Sequence, residues 1–169
     1  KAYDWVIGSS DRIAAVNASY GAGTYTSTSA CVEDNMFDDE LVGRITRKGI
    51  SFVAASGNTP GLNFTSSPAC IPEAIAVGST TNSDTMAFHT SMAEWVDLLA
   101  PGEMVITTFP GETYAWGTGT SGSTALVSGS IQVQKDIYEG GSPAFMKQNL
   151  IDTGVKVEDH RTNPEGRST

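Results

Sequence analysis

A serine follows a glycine-rich turn at the start of an apolar segment of helical length. Residues 117–129 read GTGTSGSTALVSG, and Ser121 stands where the turn passes into the segment. Unpaired backbone N–H groups and the macrodipole at a helix N-terminus favour developing negative charge, so a nucleophilic hydroxyl suits this position. A serine hydroxyl alone is a poor nucleophile and needs a base and an acid that orients that base. The simpler alternative is a Gly/Ser turn that begins a buried helix.

Asn58 and two histidines are the other candidates for such a site. Asn58 follows an apolar run and the small residues 54–57, where a strand of an α/β sheet would end. Its amide NH2 could donate to an oxyanion, and the alternative is a turn asparagine before Pro60. His89 lies between two predicted strands and His160 in the polar C-terminal segment, positions typical of surface histidines. The sequence contains no phosphate-binding loop, metal-binding histidine motif or EF-hand pattern.

Composition and charge limit the class of protein. The 169 residues are 39% apolar and 17% charged, as in a globular domain that can bury a core. The net charge of −9 argues against nucleic acid and anionic membranes as partners. No apolar run is long enough to cross a bilayer. Because Lys1 already opens a helical pattern, we expect a further segment upstream.

Cys31 and Cys70 are the only cysteines, and both lie in sequence that is typical of loops. Two cysteines by themselves are too few for a structural zinc site. They form either a disulfide or a pair of buried thiols. The disulfide is favoured, and it would place the protein in an oxidising compartment.

Helices and strands alternate along the chain, which predicts an α/β fold. Apolar runs within residues 50–55, 74–78 and 95–100 predict strands covered on both faces, as in a parallel sheet. Residues 121–138 predict a buried helix. A final helix is predicted to begin with Ser142 as its cap and Pro143 as its first residue, and to end near Gly154.

Another helix is predicted to begin at Asp34, after a Thr- and Ser-rich loop that runs to Ala30. Acidic residues in its early turns and basic residues in its late turns complement the macrodipole. Phe37, Leu41 and Ile45 recur at helical spacing and predict the buried stripe.

Taken together, several segments resemble the catalytic domain of subtilisin-like serine proteases, the subtilase family. They occur in the family's order: NASYG (17–21), VAASGN (53–58), SPACI with AIAVG (67–71 and 74–78), LAPG (99–102) and GTS (119–121). The resemblance covers residues 1–155, and residues 156–169 form a polar tail. It implies a partial three-layer α/β fold with a mostly parallel sheet flanked by helices and with the N-terminal strands missing.

The resemblance also implies roles for individual residues. Ser121 would be the nucleophile, and Asn58 with the Ser121 N–H would hold the oxyanion. Further assignments are substrate pairing by Ser19, Tyr20 and Gly21, pocket walls of Ala54, Ala55 and Ser56, and a disulfide between Cys31 and Cys70. The small walls indicate room for a sizeable side chain, although no residue is identified at the base of the pocket. The protein would be secreted, and calcium is common in the family, although no ligand set is assigned here.

The chain departs from the family pattern in two ways. The family's Asp and His come well before the segment where this chain begins, and no D-[ST]-G or H-G-[ST] motif is present. His89 falls in a loop before the LAPG strand and is not assigned as the base. In the nucleophile motif, G, S, A, L and S at positions 122, 123, 125, 126 and 128 replace the family's M, A, P, H and A.

The sequence therefore predicts a serine endopeptidase that acts on polypeptides. The triad Asp and His would come from the upstream part of the same catalytic domain, and residues 1–169 alone would be inactive. The alternative is a non-catalytic pseudoprotease or peptide-binding domain. An α/β-hydrolase that uses Ser121, Asp152 and His160 fits poorly, because position 123 is serine rather than the second glycine of G-x-S-x-G.

Overall fold

The computed structural model describes residues 1–9, 12–159 and 161, which form five helices and ten strands. The helices are α1 (Ala2–Gly8), α2 (Thr28–Asp34), α3 (Met36–Arg47), α4 (Thr120–Ile137) and α5 (Pro143–Thr153). The strands are β1 (Ala15–Ala18), β2 (Ala22–Tyr25), β3 (Ser51–Ala55), β4 (Gly61–Leu62), β5 (Thr65–Ser67), β6 (Ile75–Thr80), β7 (Ser91–Met92), β8 (Leu98–Pro101), β9 (Val105–Phe109) and β10 (Thr113–Gly117).

Four strands form the central sheet in the order β1–β3–β6–β8, and every neighbouring pair is parallel. The residues of β3 and β6 are all buried, as expected for strands covered on both faces. This confirms the predicted α/β class and its parallel sheet. Three two-stranded sheets pair β2 with β5, β4 with β7, and β9 with β10.

Successive residues of β3 and β6 point into two separate cores, because side chains alternate along a strand. The α3-side core comprises Ala18, Cys31, Val42, Ile45, Ile50, Phe52, Ala54, Ala69, Cys70, Ile71, Ala74 and Ala76. The α4-side core comprises Val53, Ile75, Val77, Val127, Ile131 and Met146. The sheet is therefore the middle of three layers.

The helix predicted from Asp34 is two helices. Asp34 is the last residue of α2, and α3 begins at Met36. The capping side chain is Ser27, whose Oγ accepts a hydrogen bond from the N–H of Ala30 at 3.2 Å. The predictions of a loop up to Ala30 and of a loop around Cys31 were wrong, because this cap starts a helix within the Thr- and Ser-rich stretch.

The buried stripe of α3 is shorter than predicted. Leu41 and Ile45 are 4% and 0% exposed, whereas Phe37 is 70% exposed. The buried residues of α3 begin at Leu41, so only the second part of this helix packs on the sheet and its first turn projects beyond the core.

The C-terminal elements agree closely with the sequence. Ser142 Oγ accepts from the N–H of Phe145 at 3.1 Å, Pro143 opens α5, and Gly154 follows its last residue. Cys31 and Cys70 form a disulfide with their Cα atoms 6.0 Å apart. Within the described ranges, no helix is long and apolar enough to cross a membrane.

Candidate active site

Ser121 is the second residue of α4, at the helix end whose first N–H groups lack intrahelical partners. Gly119 occupies the N-cap position, and its missing side chain cannot satisfy these groups. The N–H of Thr120 instead donates to Oδ1 of Asn58 at 2.8 Å. The start of α4 is therefore tied to the segment that follows β3, and two predicted site residues come together there.

Hydrogen bonds to its oxygen fix the orientation of the Asn58 side-chain amide. Oδ1 accepts from both the N–H and the hydroxyl of Thr120, at 2.8 and 3.0 Å. Nδ2 lies over Gly119, where an added Cβ would approach it to 3.1 Å. Within the described residues, Nδ2 donates no hydrogen bond. A fixed amide with an available N–H is the arrangement that an oxyanion donor requires.

Ser121 and Ser19 link α4 to the end of β1. Ser19 Oγ donates to the carbonyl of Ser121 at 2.9 Å, and Ser121 Oγ donates to the carbonyl of Ser19 at 3.2 Å. No imidazole or carboxylate within the described residues hydrogen-bonds to Ser121. His89 lies on the loop between β6 and β7, and His160 lies outside the described residues.

The end of β8 and the turn after it contact the start of α4. Gly102 accepts a hydrogen bond at its carbonyl from the N–H of Gly119 at 2.7 Å, and Ser123 Oγ donates to the carbonyl of Ala100 at 2.8 Å. A Cβ at Gly102 would lie 2.2 Å from Ser123 Oγ, so only glycine fits. Segments at the carboxyl ends of β1, β3 and β8 therefore meet at the start of α4, the edge where α/β sheets build sites.

A cavity of about 410 Å³ lies beside Ser121. Six of the eight predicted catalytic and substrate-binding residues line it: Ser19, Tyr20, Gly21, Ala55, Asn58 and Ser121. The other two, Ala54 and Ser56, are fully buried, and Ala54 packs in the α3-side core.

Several residues of the cavity were not predicted from the sequence, among them Gly57, Phe64, Ser66, Ser91 and Thr120. Thr120 could have been found, because it directly precedes Ser121. Phe64 and Ser66 lie between two of the quoted motifs and Ser91 lies outside them, and none of the three carries a signal of its own. No charged side chain lines the cavity, so its walls are neutral.

Burial shifts the pKa of two side chains, Tyr20 at the cavity and His89 on the loop between β6 and β7, toward their neutral forms. Burial, and then the negative charge of Asp38, raises the pKa of Tyr20, whose hydroxyl contacts that of Tyr3. Burial lowers the pKa of His89, with Glu103 opposing this shift and Arg161 adding to it. Tyr20 therefore offers the cavity a neutral phenol.

Metal ligands do not cluster in the described part of the chain. No group of three His, Cys, Asp or Glu side chains is placed to hold an ion. No calcium ligand set is assigned among the described residues, and the chemistry proposed for Ser121 uses none.

Comparisons with known proteins find relatives over most of the chain. The chain is 34% identical to Subtilisin BL of Lederbergia lenta over 119 residues, which are 70% of this chain and 44% of that protein. It is 32% identical to Subtilisin NAT of Bacillus subtilis subsp. natto over 161 residues, which are 90% of this chain and 40% of that protein. The chain thus spans less than half the length of these relatives.

Solved structures show the same fold. A cold adapted subtilisin-like serine proteinase superposes with a TM-score of 0.77 at 27% identity, over 98% of this chain and 56% of that one. The prenylagaramide maturation protease PagA superposes with a TM-score of 0.76 at 20% identity, over 99% of this chain and 59% of that one, which supports the fold alone. Residues 1–166 match the sequence profile of the Subtilase family. Together with the motifs that meet at Ser121, this match shows that the chain belongs to the subtilase family.

Proposed function

We propose that this chain carries the nucleophile and the oxyanion hole of a serine endopeptidase. The observation that carries the proposal is the double hydrogen bond from Thr120 to Asn58 Oδ1, which leaves Nδ2 as a donor beside the start of α4. Membership of the subtilase family and the serine protease relatives support the same reaction class.

The reaction would pass through an acyl-enzyme. Ser121 Oγ attacks the peptide carbonyl and gives its proton to a base, while Asn58 Nδ2 and the Ser121 N–H stabilise the oxyanion. The C–N bond then breaks, and the base returns the proton to the leaving amine. Water hydrolyses the ester and restores the hydroxyl. The residues 19–21 would pair with the extended substrate as an added strand.

The base and the acid that orients it are proposed to come from an upstream part of the same catalytic domain. Two features of the described residues support this. β1 is an edge strand, so its outer side is open to a further parallel strand. On α4, Leu126, Val133 and Ile137 are 46%, 58% and 65% exposed, although apolar side chains on a central helix are normally covered.

An extracellular compartment is proposed as well. The Cys31–Cys70 disulfide supports it, because disulfides persist in oxidising environments. Several relatives of the chain are named as subtilisins and alkaline proteases of bacteria, which agrees with an exported enzyme.

A fluorophosphonate probe tests this function. We expect stoichiometric labelling of Ser121 in a protein that contains the upstream part, and slow labelling of residues 1–169 alone, because a serine without a base is a weak nucleophile. Ser121→Ala is the control and should abolish labelling. Rapid labelling of residues 1–169 alone would contradict the assignment of the base to an upstream part.

The oxyanion role is tested in the same longer protein. Asn58→Ala should lower kcat by about 10²–10³, a magnitude measured on subtilisin itself. An unchanged kcat would remove Asn58 from the oxyanion hole. Absence of both labelling and turnover in the longer protein would favour the alternative, a non-catalytic peptide-binding domain.

A further inference from the structure

A largely buried ion pair near the C-terminal end of the described residues contacts the loop between β6 and β7. Arg161 donates through Nε and Nη2 to the two carboxylate oxygens of Asp159, each at 2.9 Å. Its third nitrogen, Nη1, donates to the carbonyl of Thr90 and, at 3.5 Å, to that of Phe88. The side chains of Arg161 and Asp159 are only 12% and 13% exposed. The two-point contact with the carboxylate therefore fixes the direction in which Nη1 points.

The central sheet holds Thr90 from the other side. Thr90 is 0% exposed. Its Oγ1 accepts from the N–H of Ser79 and donates to the carbonyl of the same residue, each at 3.1 Å. Ser79 belongs to β6, a strand of the central sheet. The side chain of Thr90 is thus fixed by the sheet and its carbonyl by Arg161, so the peptide that follows Thr90 is held in one orientation.

This peptide leads directly to Asn58. The carbonyl of Thr90 and the N–H of Ser91 belong to one planar peptide unit, so they turn together. The N–H of Ser91 donates to the carbonyl of Gly57 at 3.0 Å. That carbonyl shares its own peptide unit with the N–H of Asn58. Only two rigid peptide units therefore lie between the guanidinium of Arg161 and the backbone of Asn58.

Ser91 also holds the residue that follows Asn58. Its Oγ accepts from the N–H of Thr59 at 3.3 Å and donates to the carbonyl of Thr59 at 2.8 Å. Both chain neighbours of Asn58, Gly57 and Thr59, are thus bound to the same serine. The side-chain oxygen of Asn58 is bound by Thr120. Ser91 therefore fixes the backbone around Asn58, while Thr120 fixes its side chain.

From this chain of contacts we infer that Arg161 is a positioning residue for Asn58 and acts through the peptide between Thr90 and Ser91. The inference rests on the proposed function for the role of Asn58 as an oxyanion donor. Such a donor stabilises the transition state only when it lies 2.7–3.1 Å from the position of the oxyanion, as a general rule, so a small displacement weakens it. Arg161 does not line the cavity beside Ser121 and so touches no reacting atom.

Kinetics of the longer protein that includes the upstream part provide the first test. Arg161→Ala should lower kcat about tenfold, because the donor is displaced. KM should change less than about twofold, because the oxyanion forms only after the substrate has bound. In an Asn58→Ala background, Arg161→Ala should cause no further loss of kcat, because the group that it positions is already absent.

Amide hydrogen exchange in the same protein provides a second test that needs no activity. Arg161→Ala should accelerate exchange at the Ser91 N–H by about tenfold or more, because its peptide is no longer held at the carbonyl. Exchange at Val53, in the middle of the buried strand β3, should stay unchanged. Arg161→Lys retains the positive charge but not the two-point contact, so it should keep part of the protection and part of kcat.

Arg44→Ala is the matched control, since it makes the same substitution at an exposed position of α3. It should leave kcat and the exchange at Ser91 unchanged. An unchanged kcat in Arg161→Ala would overturn the inference, and so would unchanged exchange at Ser91. Losses of kcat that multiply in the double variant would also overturn it, because Arg161 would then act independently of Asn58.

The inference and the proposed function fail in distinguishable ways. If Asn58→Ala leaves kcat unchanged, Asn58 is not an oxyanion donor and the proposed function loses its main support. Faster exchange at Ser91 in Arg161→Ala would in that case still support the positioning of this backbone by Arg161. If Asn58→Ala lowers kcat while Arg161→Ala changes neither measurement, only the inference about Arg161 fails.

Discussion

The two faces of the central sheet are built differently. The α3-side core contains twelve buried residues, and the disulfide joins α2 to the turn that follows β5 within it. The α4-side core contains six buried residues, and the helix that carries Ser121 leaves apolar side chains exposed on its outer side. The first face is packed and cross-linked by the chain itself. The face that carries Ser121 leaves apolar surface exposed on α4.

The two cores can be compared by making the same substitution in each, at Ile45 in the α3-side core and at Ile131 in the α4-side core. Both are 0% exposed, one on α3 and the other on α4. Ile45→Ala should lower the free energy of unfolding by about 4–5 kcal/mol and Ile131→Ala by about 2–3 kcal/mol, because a helix with an open side can shift to fill the cavity. Urea unfolding followed by circular dichroism measures both values. Equal losses, or a larger loss at Ile131, would contradict the difference between the cores.

Removing the disulfide would measure how much of the stability of the α3-side core depends on this cross-link. Cys31 and Cys70 are separated by 39 residues, and closing a loop of this length stabilises a fold by about 4 kcal/mol in the chain-entropy model. Replacing both cysteines by Ala should lower the free energy of unfolding by about this amount. It should also bring the cost of Ile45→Ala closer to that of Ile131→Ala. A double replacement that leaves the unfolding midpoint unchanged would show that packing alone holds this face.

Replacing either of two capping serines should cause the smallest loss of unfolding free energy among these variants. Ser27 caps α2 and Ser142 caps α5, with similar hydrogen bonds of 3.2 and 3.1 Å. Each replacement by Ala should cost about 1 kcal/mol. Because Cys31 ties α2 to the core, local opening should be confined to Ser142→Ala, seen as faster amide hydrogen exchange at Phe145 than at Ala30 in the matching variant. Equal acceleration at both caps would show that the disulfide does not restrain α2.

Local signals in the sequence predicted several elements to within a residue. The start of α5 followed from Ser142 and Pro143, since a cap and a proline act within one turn of chain. The buried strand β3 followed from its continuous apolar run. The same kind of reasoning failed at Phe37, because its exposure depends on where α3 leaves the sheet and not on helical spacing.

In the candidate site too, some features follow from local sequence signals and others only from contacts between distant segments. Ser121 and Asn58 could be proposed from the sequence because each stands in a motif, one at the start of α4 and the other after β3. The contact between Thr120 and Asn58 joins residues 62 positions apart, so no local pattern could show it. Ala54, Ala55 and Ser56 were expected at the pocket, but side chains alternate along β3 and its continuation, so of these three only Ala55 lines the cavity.

The sequence by itself determined the α/β class and the order of the family motifs, and it singled out Ser121 and Asn58 as candidates, because these depend on residue type and short-range spacing. Only the tertiary structure decided which atom of Asn58 is held and which residues line the cavity. Gly21, Gly57 and Ser66 come from three separate segments that meet where β2, β3 and β5 are brought together. Strand pairing and packing bring these three residues together. Contacts between segments that are distant along the chain leave no periodic pattern in the sequence from which they could be predicted.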